Sequence, residues 1–162
     1  MNLEFSATEF VLSSTIQVGI AIAGFTGIVL AVKSKNKLRR LQKILISILL
    51  ISSIAAVVFS FIPMLLLSAS ISESNTWALC SAVFLVYFIG IIIYRRYQFR
   101  KTSTDIPTGI QILISLFATA AVLQIPNIFY LKAAWPYLIL LIIYILYSFS
   151  VFVQLLWLFW EE

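Results

Sequence analysis

The chain has 162 residues, of which 62% are hydrophobic and only 10% are charged, far below the roughly 25% charged residues of soluble domains. Such a composition leaves too little polar surface for a domain surrounded by water, which excludes an ordinary soluble protein. Histidine is absent, so the commonest general base, metal ligand and pH-sensitive side chain is missing.

The remaining polar residues do not form a recognisable catalytic set. The only cysteine, Cys80, lies in an apolar run and cannot form an internal disulfide or a metal cage by itself. The few carboxylates are scattered along the chain, and neither a Ser–His pair nor a zinc site can be assembled. We therefore expect a protein without enzymatic activity, metal or cofactor.

Charged residues divide the chain into long uncharged runs. Each run is long enough to cross a hydrocarbon core of about 30 Å as a helix. We predict an all-α, polytopic transmembrane helix bundle that forms a single domain over residues 1–162, with five spans near residues 10–32, 44–70, 76–94, 107–130 and 135–160.

The last two spans are separated by a weaker signal than the others. Between Ile106 and Trp160 only Lys132 is charged, and 55 helical residues would extend about 80 Å, which exceeds one bilayer. The chain must therefore reverse. Pro126 with Asn127, and then Lys132 with the Trp135-Pro136 pair, supply helix breakers and an interfacial anchor for that reversal.

Lysine and arginine predict the orientation. Ten of the eleven basic residues lie in Lys33–Lys43 and Arg95–Lys101, and five spans place both stretches on the same side. The positive-inside rule assigns that side to the cytoplasm. We therefore predict a multi-pass protein of the plasma membrane, with the N-terminus outside and the C-terminus inside.

The first span carries small residues at regular spacing. Thr15, Gly19, Ala23, Gly27 and Ala31 recur every four residues, with Thr26 beside them, and such a ridge lets two helices approach closely in lipid. Packing within one subunit is the favoured interpretation. Packing between subunits and the lining of a pore remain alternatives.

Uncharged polar residues are spread over three spans. In the fourth span Gln111, Ser115 and Thr119 share one face, which could also line a pore. Other polar side chains predict either an interhelical hydrogen-bond network, which is commoner, or a hydrated path. They are Gln17, Gln124, Asn127, Tyr147, Ser150 and Gln154.

The basic residues have an ordinary explanation as well as a more specific one. They orient the protein and contact anionic lipid headgroups at the cytoplasmic surface. If subunits gathered around an axis, the same residues could form a rim that binds a polyanion, such as a nucleotide. The rim would comprise Lys33, Lys35, Lys37, Arg39, Arg40, Lys43, Arg95, Arg96, Arg100 and Lys101.

Three passages resemble a group of small, poorly characterised bacterial polytopic membrane proteins. They are AGFTGIVLAV (Ala23–Val32), the segment Arg40–Leu67 that runs from RLQKILISILL to FIPMLLL, and Pro126–Leu141, which contains PNIFY and WPYLILL. Small proteins of this kind resemble membrane effectors of bacterial anti-phage defence. The resemblance implies an inner-membrane protein whose oligomer depolarises the membrane.

Three functional hypotheses follow. The first is a homo-oligomeric, ion-conducting pore, because the chain is small, has short loops and carries polar faces without intramembrane charge. The second is a non-catalytic membrane anchor or regulatory subunit that binds a partner protein. A uniporter for a neutral solute is a weaker third, because relay charges and an inverted repeat are missing.

Overall fold

The computed structural model describes residues 3–33, 40–100, 115 and 118–160, and the regular secondary structure within these ranges is entirely helical. Four of the helices are long and apolar enough to cross a membrane, as expected of an all-α membrane protein. They are α1 (Leu3–Lys33), α2 (Arg40–Ser68), α3 (Glu73–Arg100) and α5 (Ala134–Trp160). A shorter apolar helix, α4 (Ala118–Leu131), precedes α5.

These helices correspond to four of the five predicted spans. Before Ala118, the predicted fourth span near 107–130 is described only at Ser115, and the remaining residues from 107 to 117 lie outside the described part of the chain. Five crossings, the orientation of the chain and the particular membrane therefore stay predictions.

The chain divides into two compact units. One comprises Met1–Phe61 together with Leu141–Glu162, and thus contains α1, most of α2 and the later part of α5. The other comprises Ile62–Leu140, with α3, α4 and the first turns of α5. The first unit contains an exposed face of α1, and the second unit contains a buried polar cluster.

In the first unit, one side of α1 packs closely on α2. A Cβ atom added to Gly19 would lie 2.9 Å from Cγ2 of Val57 and 3.1 Å from the carbonyl oxygen of Ser53. Only glycine permits this approach without displacing α2. The buried positions of α1 follow helical spacing and comprise Leu12, Thr15, Gly19, Ile22 and Thr26.

Most buried hydroxyl groups of the first unit bond to their own helix. Thr26 Oγ1 donates to the Ile22 carbonyl at 2.7 Å, and Ser60 Oγ donates to the Ala56 carbonyl at 2.9 Å. Such bonds satisfy a hydroxyl in hydrocarbon without a partner helix. Ser53 Oγ is an exception, since it is buried and has no hydrogen-bond partner within the described part of the chain.

In the second unit, α2 and α3 are joined by a tight reversal. Ser70 adopts a left-handed conformation with φ of 61°. The Ile71 N–H donates to the Leu66 carbonyl at 3.2 Å and the Ser70 N–H to the Leu67 carbonyl at 3.1 Å. This pair of bonds is a Schellman cap, which satisfies the last carbonyl groups of α2 and ends the helix.

Helix α4 departs from regular α-geometry before the chain reverses into α5. A turn at Leu123 is followed by a short α-helical piece and then by a π-helix over Asn127–Leu131. Pro126 lacks an N–H group and cannot continue the α-helical bond pattern. Lys132, at φ 46°, donates its N–H to the Asn127 carbonyl at 3.0 Å and ends the π-helix.

Candidate functional site

The described residues contain two polar features that are candidates for a functional site. One is a buried cluster in the second unit, and the other is an exposed face of α1 in the first unit. The hydrogen bonds of the cluster determine whether it can hold a ligand.

The buried cluster joins α3 to the end of α4. Ser81 Oγ donates to Gln124 Oε1 at 2.9 Å and accepts from Asn127 Nδ2 at 2.8 Å. All three residues are fully buried, with exposures of 0%. A polar group in this environment must find its partners inside the protein.

Each amide of the cluster also bonds to the backbone near the reversal. Gln124 Nε2 donates to the carbonyl oxygens of Ala120 (3.1 Å) and Pro136 (3.0 Å). Asn127 Nδ2 donates to the Ala133 carbonyl at 3.2 Å, and the Ala133 N–H donates back to Asn127 Oδ1 at 3.0 Å. The side chains thereby tie α4 to the first turn of α5.

The cluster leaves no donor for a ligand. Both hydrogens of each amide and the hydroxyl hydrogen of Ser81 are used within it. Aromatic rings nearby are packed against one another, with Tyr137 6.0 Å from Trp77 and 6.2 Å from Phe84 between ring centroids. The arrangement ties α4 to α5 and engages every amide and hydroxyl hydrogen of these three side chains.

The second feature lies on the side of α1 that faces away from α2. When the residues of α1 are placed at 100° intervals around the helix axis, seven exposed residues fall within an arc of roughly 80°. We call this surface the α1 polar face; it comprises Glu9, Ser13, Gln17, Ile20, Gly24, Gly27 and Ala31. Ile20, at 58% exposure, is its one large apolar side chain.

The glycines of this face have no packing reason within the described chain. A Cβ atom added to Gly24 or Gly27 would meet nothing within 4 Å, in contrast to Gly19. Glycine in a helix interior costs about 1 kcal/mol relative to alanine in water. A glycine that no neighbour among the described residues requires is typical of a surface that something else approaches closely.

Gln17 adds a second unusual property to the α1 polar face. It is exposed near the middle of the apolar segment Ala7–Ala31, where hydrocarbon offers an amide no hydrogen bonds. An unpaired amide in an apolar environment costs several kcal/mol. Water in a pore, or the amide of another subunit, would remove that cost.

The residues predicted from the first span separate onto different sides of α1. Thr15, Gly19 and Thr26 are buried and Ala23 is half-buried, whereas Gly27 belongs to the α1 polar face. The four-residue repeat does not remain on one side, because 3.6 residues per turn rotate it around the helix.

The residues predicted from the fourth and fifth spans also fall in different places. Ser115 and Thr119 are exposed, with Thr119 Oγ1 donating to the Ser115 carbonyl at 3.0 Å, and Gln111 lies outside the described residues. Gln124 and Asn127 share the buried cluster of the second unit. Three further residues belong to the first unit: Tyr147, which is buried, and Ser150 and Gln154, which are half-buried.

The predicted basic rim is barely described. Lys43 is exposed on α2. Four members lie outside the described residues altogether: Lys35, Lys37, Arg39 and Lys101. For the other five, the backbone is described but the side chain is not: Lys33, Arg40, Arg95, Arg96 and Arg100. Neither lipid contact nor a nucleotide site there is tested, and both stay predictions.

Sequence reasoning missed Ser81, Ser13 and Gly24. Ser81 is one of many serines in apolar segments, and nothing in its spacing distinguishes a cross-helix partner from a hydroxyl bonded to its own helix. Gly24 falls outside the four-residue repeat. The exposed arc containing Ser13 and Gly24 could have been found by plotting the first span at 100° per residue.

One property of the described side chains and three comparisons with known proteins complete the description of the site. Among the described residues there is no group of three or more His, Cys, Asp or Glu side chains placed to hold a metal ion. No protein-family model, no curated protein and no solved structure matches this chain.

Proposed function

We propose that the protein forms a homo-oligomeric, ion-conducting pore in which the α1 polar face of each subunit lines the path. The observation that carries the proposal is the exposure of Gln17 and two unpacked glycines on one face of a membrane-spanning helix. Water on a symmetry axis would solvate the amide, and the glycines would keep the path open.

The dimensions of the face suit this function. From Glu9 to Ala31 it extends about 33 Å at 1.5 Å per residue, which is close to the thickness of a hydrocarbon core of about 30 Å. Ser13, Gln17 and Gly24 place polar or small groups along it, while Ile20 interrupts them. In a symmetric assembly, the Ile20 side chains of all subunits would form an apolar ring. Such a ring can gate conduction by excluding water.

The alternative function uses the same face differently. In a membrane anchor or regulatory subunit, the α1 polar face would bind a helix of another protein, with Gln17 paired to a polar side chain there. The two functions differ in whether the purified chain assembles with itself and whether it conducts.

The first experiment combines particle size with electrical recording. The purified chain is reconstituted in nanodiscs to count subunits, and in planar bilayers to record single channels. We expect a closed ring of identical subunits and discrete current steps. A monomer that passes no current would refute the pore and leave the anchor function.

The α1 polar face is tested with matched glycine variants. Gly24→Leu introduces a bulky apolar side chain into the path, so we expect it to abolish most of the current. Gly90→Leu is the control, because Gly90 lies on α3 and a Cβ atom there also meets nothing within 4 Å. Full conductance of Gly24→Leu would remove α1 from the lining.

A defensive function can be examined in cells. The resemblance to small bacterial effectors supports depolarisation of the inner membrane during phage infection. Cells that carry the gene should lose membrane potential after infection, as reported by a potential-sensitive dye, and cells carrying the Gly24→Leu variant should retain it. Depolarisation that is equal in both would contradict an effector that acts through this pore.

A further inference from the structure

The carboxylate of Glu9 occupies a distinctive position on α1. It lies one helical turn before Ser13, on the same exposed face and at the end of the apolar segment. Between Glu9 and Ala31 the remaining residues of the α1 polar face are uncharged. Glu9 is therefore the only charged group on this face among the described side chains.

Symmetry would multiply this charge. If the α1 polar face of each subunit lines an axial path, every copy contributes one Glu9 carboxylate at the same height. Rings of acidic side chains are the devices by which cation channels concentrate cations and repel anions. The ring would lie at the N-terminal mouth, and the narrow path beneath it would carry no opposing charge.

The basic residues at the other end of α1 require consideration because they would favour anions. Lys33 is the last residue of α1, and at 100° per residue its position lies about 120° around the helix from Glu9. The basic residues that follow it precede or begin α2. Charges separated by the length of the span, about 36 Å at 1.5 Å per residue, are also screened from one another in salt.

We infer that the pore is selective for small cations and that the Glu9 carboxylates set this selectivity at its N-terminal mouth. The inference rests on the proposed function and deepens it by naming the ion class and the selecting group. Because the carboxylates at the mouth select the cations, the path inside the membrane needs no charged side chain and can be lined by hydroxyl and amide groups.

The test is the reversal potential of single channels in an asymmetric KCl gradient. We expect the wild-type channel to prefer K⁺ over Cl⁻. Glu9→Gln keeps the size and hydrogen-bonding oxygen of the side chain but removes its charge, so current should persist while the permeability ratio falls by roughly tenfold at low ionic strength. Raising the salt concentration should reduce the difference between the two proteins.

Glu73→Gln provides the matched control. Glu73 is an exposed glutamate at the start of α3, where its Oε1 accepts a hydrogen bond from Trp77 Nε1 at 3.4 Å. The glutamine oxygen can accept the same bond, and the α1 polar face is untouched. We expect this variant to retain the wild-type permeability ratio.

The outcomes separate the two proposals. Absence of any current refutes the pore itself. A conducting wild-type channel that prefers Cl⁻, or a Glu9→Gln channel with an unchanged permeability ratio, leaves the pore intact and overturns the assignment of Glu9. A shift of equal size in Glu73→Gln would attribute the effect to general surface charge and also overturn that assignment.

Discussion

At the scale of single residues, Asn127 illustrates how the protein satisfies polar groups in an apolar interior. Its side chain contacts Ser81 on α3 and both backbone groups of Ala133, so that one amide joins two helices and closes a reversal. Each bond in a membrane interior contributes about 1 kcal/mol. Leaving a partner unpaired costs more than the bond gains.

We therefore expect Asn127→Ala to lower the free energy of unfolding by about 1–3 kcal/mol. The variant leaves the Ala133 N–H without its partner and removes the donor to Ser81. The measurement is equilibrium unfolding in mixed detergent micelles, with Asn75→Ala as control, because Asn75 is exposed on α3.

The same cluster can be tested for coupling. Ser81→Ala combined with Asn127→Ala should cost less than the two single changes together, since both remove the same bond. Equal losses in Asn127→Ala and Asn75→Ala would show that the buried cluster does not stabilise the reversal.

At the scale of elements, α1 has two sides with different requirements. One side packs on α2 through Gly19, where an added Cβ atom would lie within 3.1 Å of the backbone carbonyl oxygen of Ser53. The other side exposes Gln17 and Gly24. The small residues of one helix thus serve contact within the subunit on one side and the proposed pore on the other.

We expect Gly19→Ala to destabilise the protein by about 1–3 kcal/mol through overpacking. The new Cβ atom would lie 3.1 Å from a backbone oxygen, which cannot rotate away as a side chain can. Gly90→Ala is the control, because an open site gains helix propensity and should be unchanged or slightly more stable. Unfolding in mixed micelles provides the comparison, and similar stabilities for both variants would contradict close α1–α2 contact.

At the scale of the whole molecule, the number of crossings determines on which sides the termini lie. Four helices are long enough to span, and the region before α4 determines whether a fifth crossing exists. The Schellman cap at Ser70 and the left-handed Lys132 each end a helix and allow a reversal. The distribution of basic residues then predicts which side is cytoplasmic.

We expect the N-terminus outside and the C-terminus inside. Reporter fusions that are active on only one side of the membrane, placed at each terminus in turn, measure this directly. An odd number of crossings gives opposite results for the two fusions because the termini lie on opposite sides. Termini on the same side would show that residues 107–130 do not cross.

The sequence by itself determined the class of the protein and the position of most helices. Hydrophobic length and the spacing of charged residues predicted α1, α2, α3 and α5, because a backbone surrounded by lipid must satisfy its hydrogen bonds internally. Pro126, Asn127 and Lys132 also lie where the structure interrupts the helix before α5, whereas a reversal between two crossings stays a prediction. These signals are local, so they can be read without knowing which helices meet.

Only the tertiary structure decided which polar residues find partners. Gln124 and Asn127 were predicted as members of a network, but Ser81, their partner across 43 and 46 residues of chain, had no signal of its own. Likewise Gly19 and Gly27 belong to one sequence repeat, and only the position of α2 shows that Gly19 is buried while Gly27 is exposed. Contact between distant segments depends on how the helices pack, which periodicity along one helix does not specify.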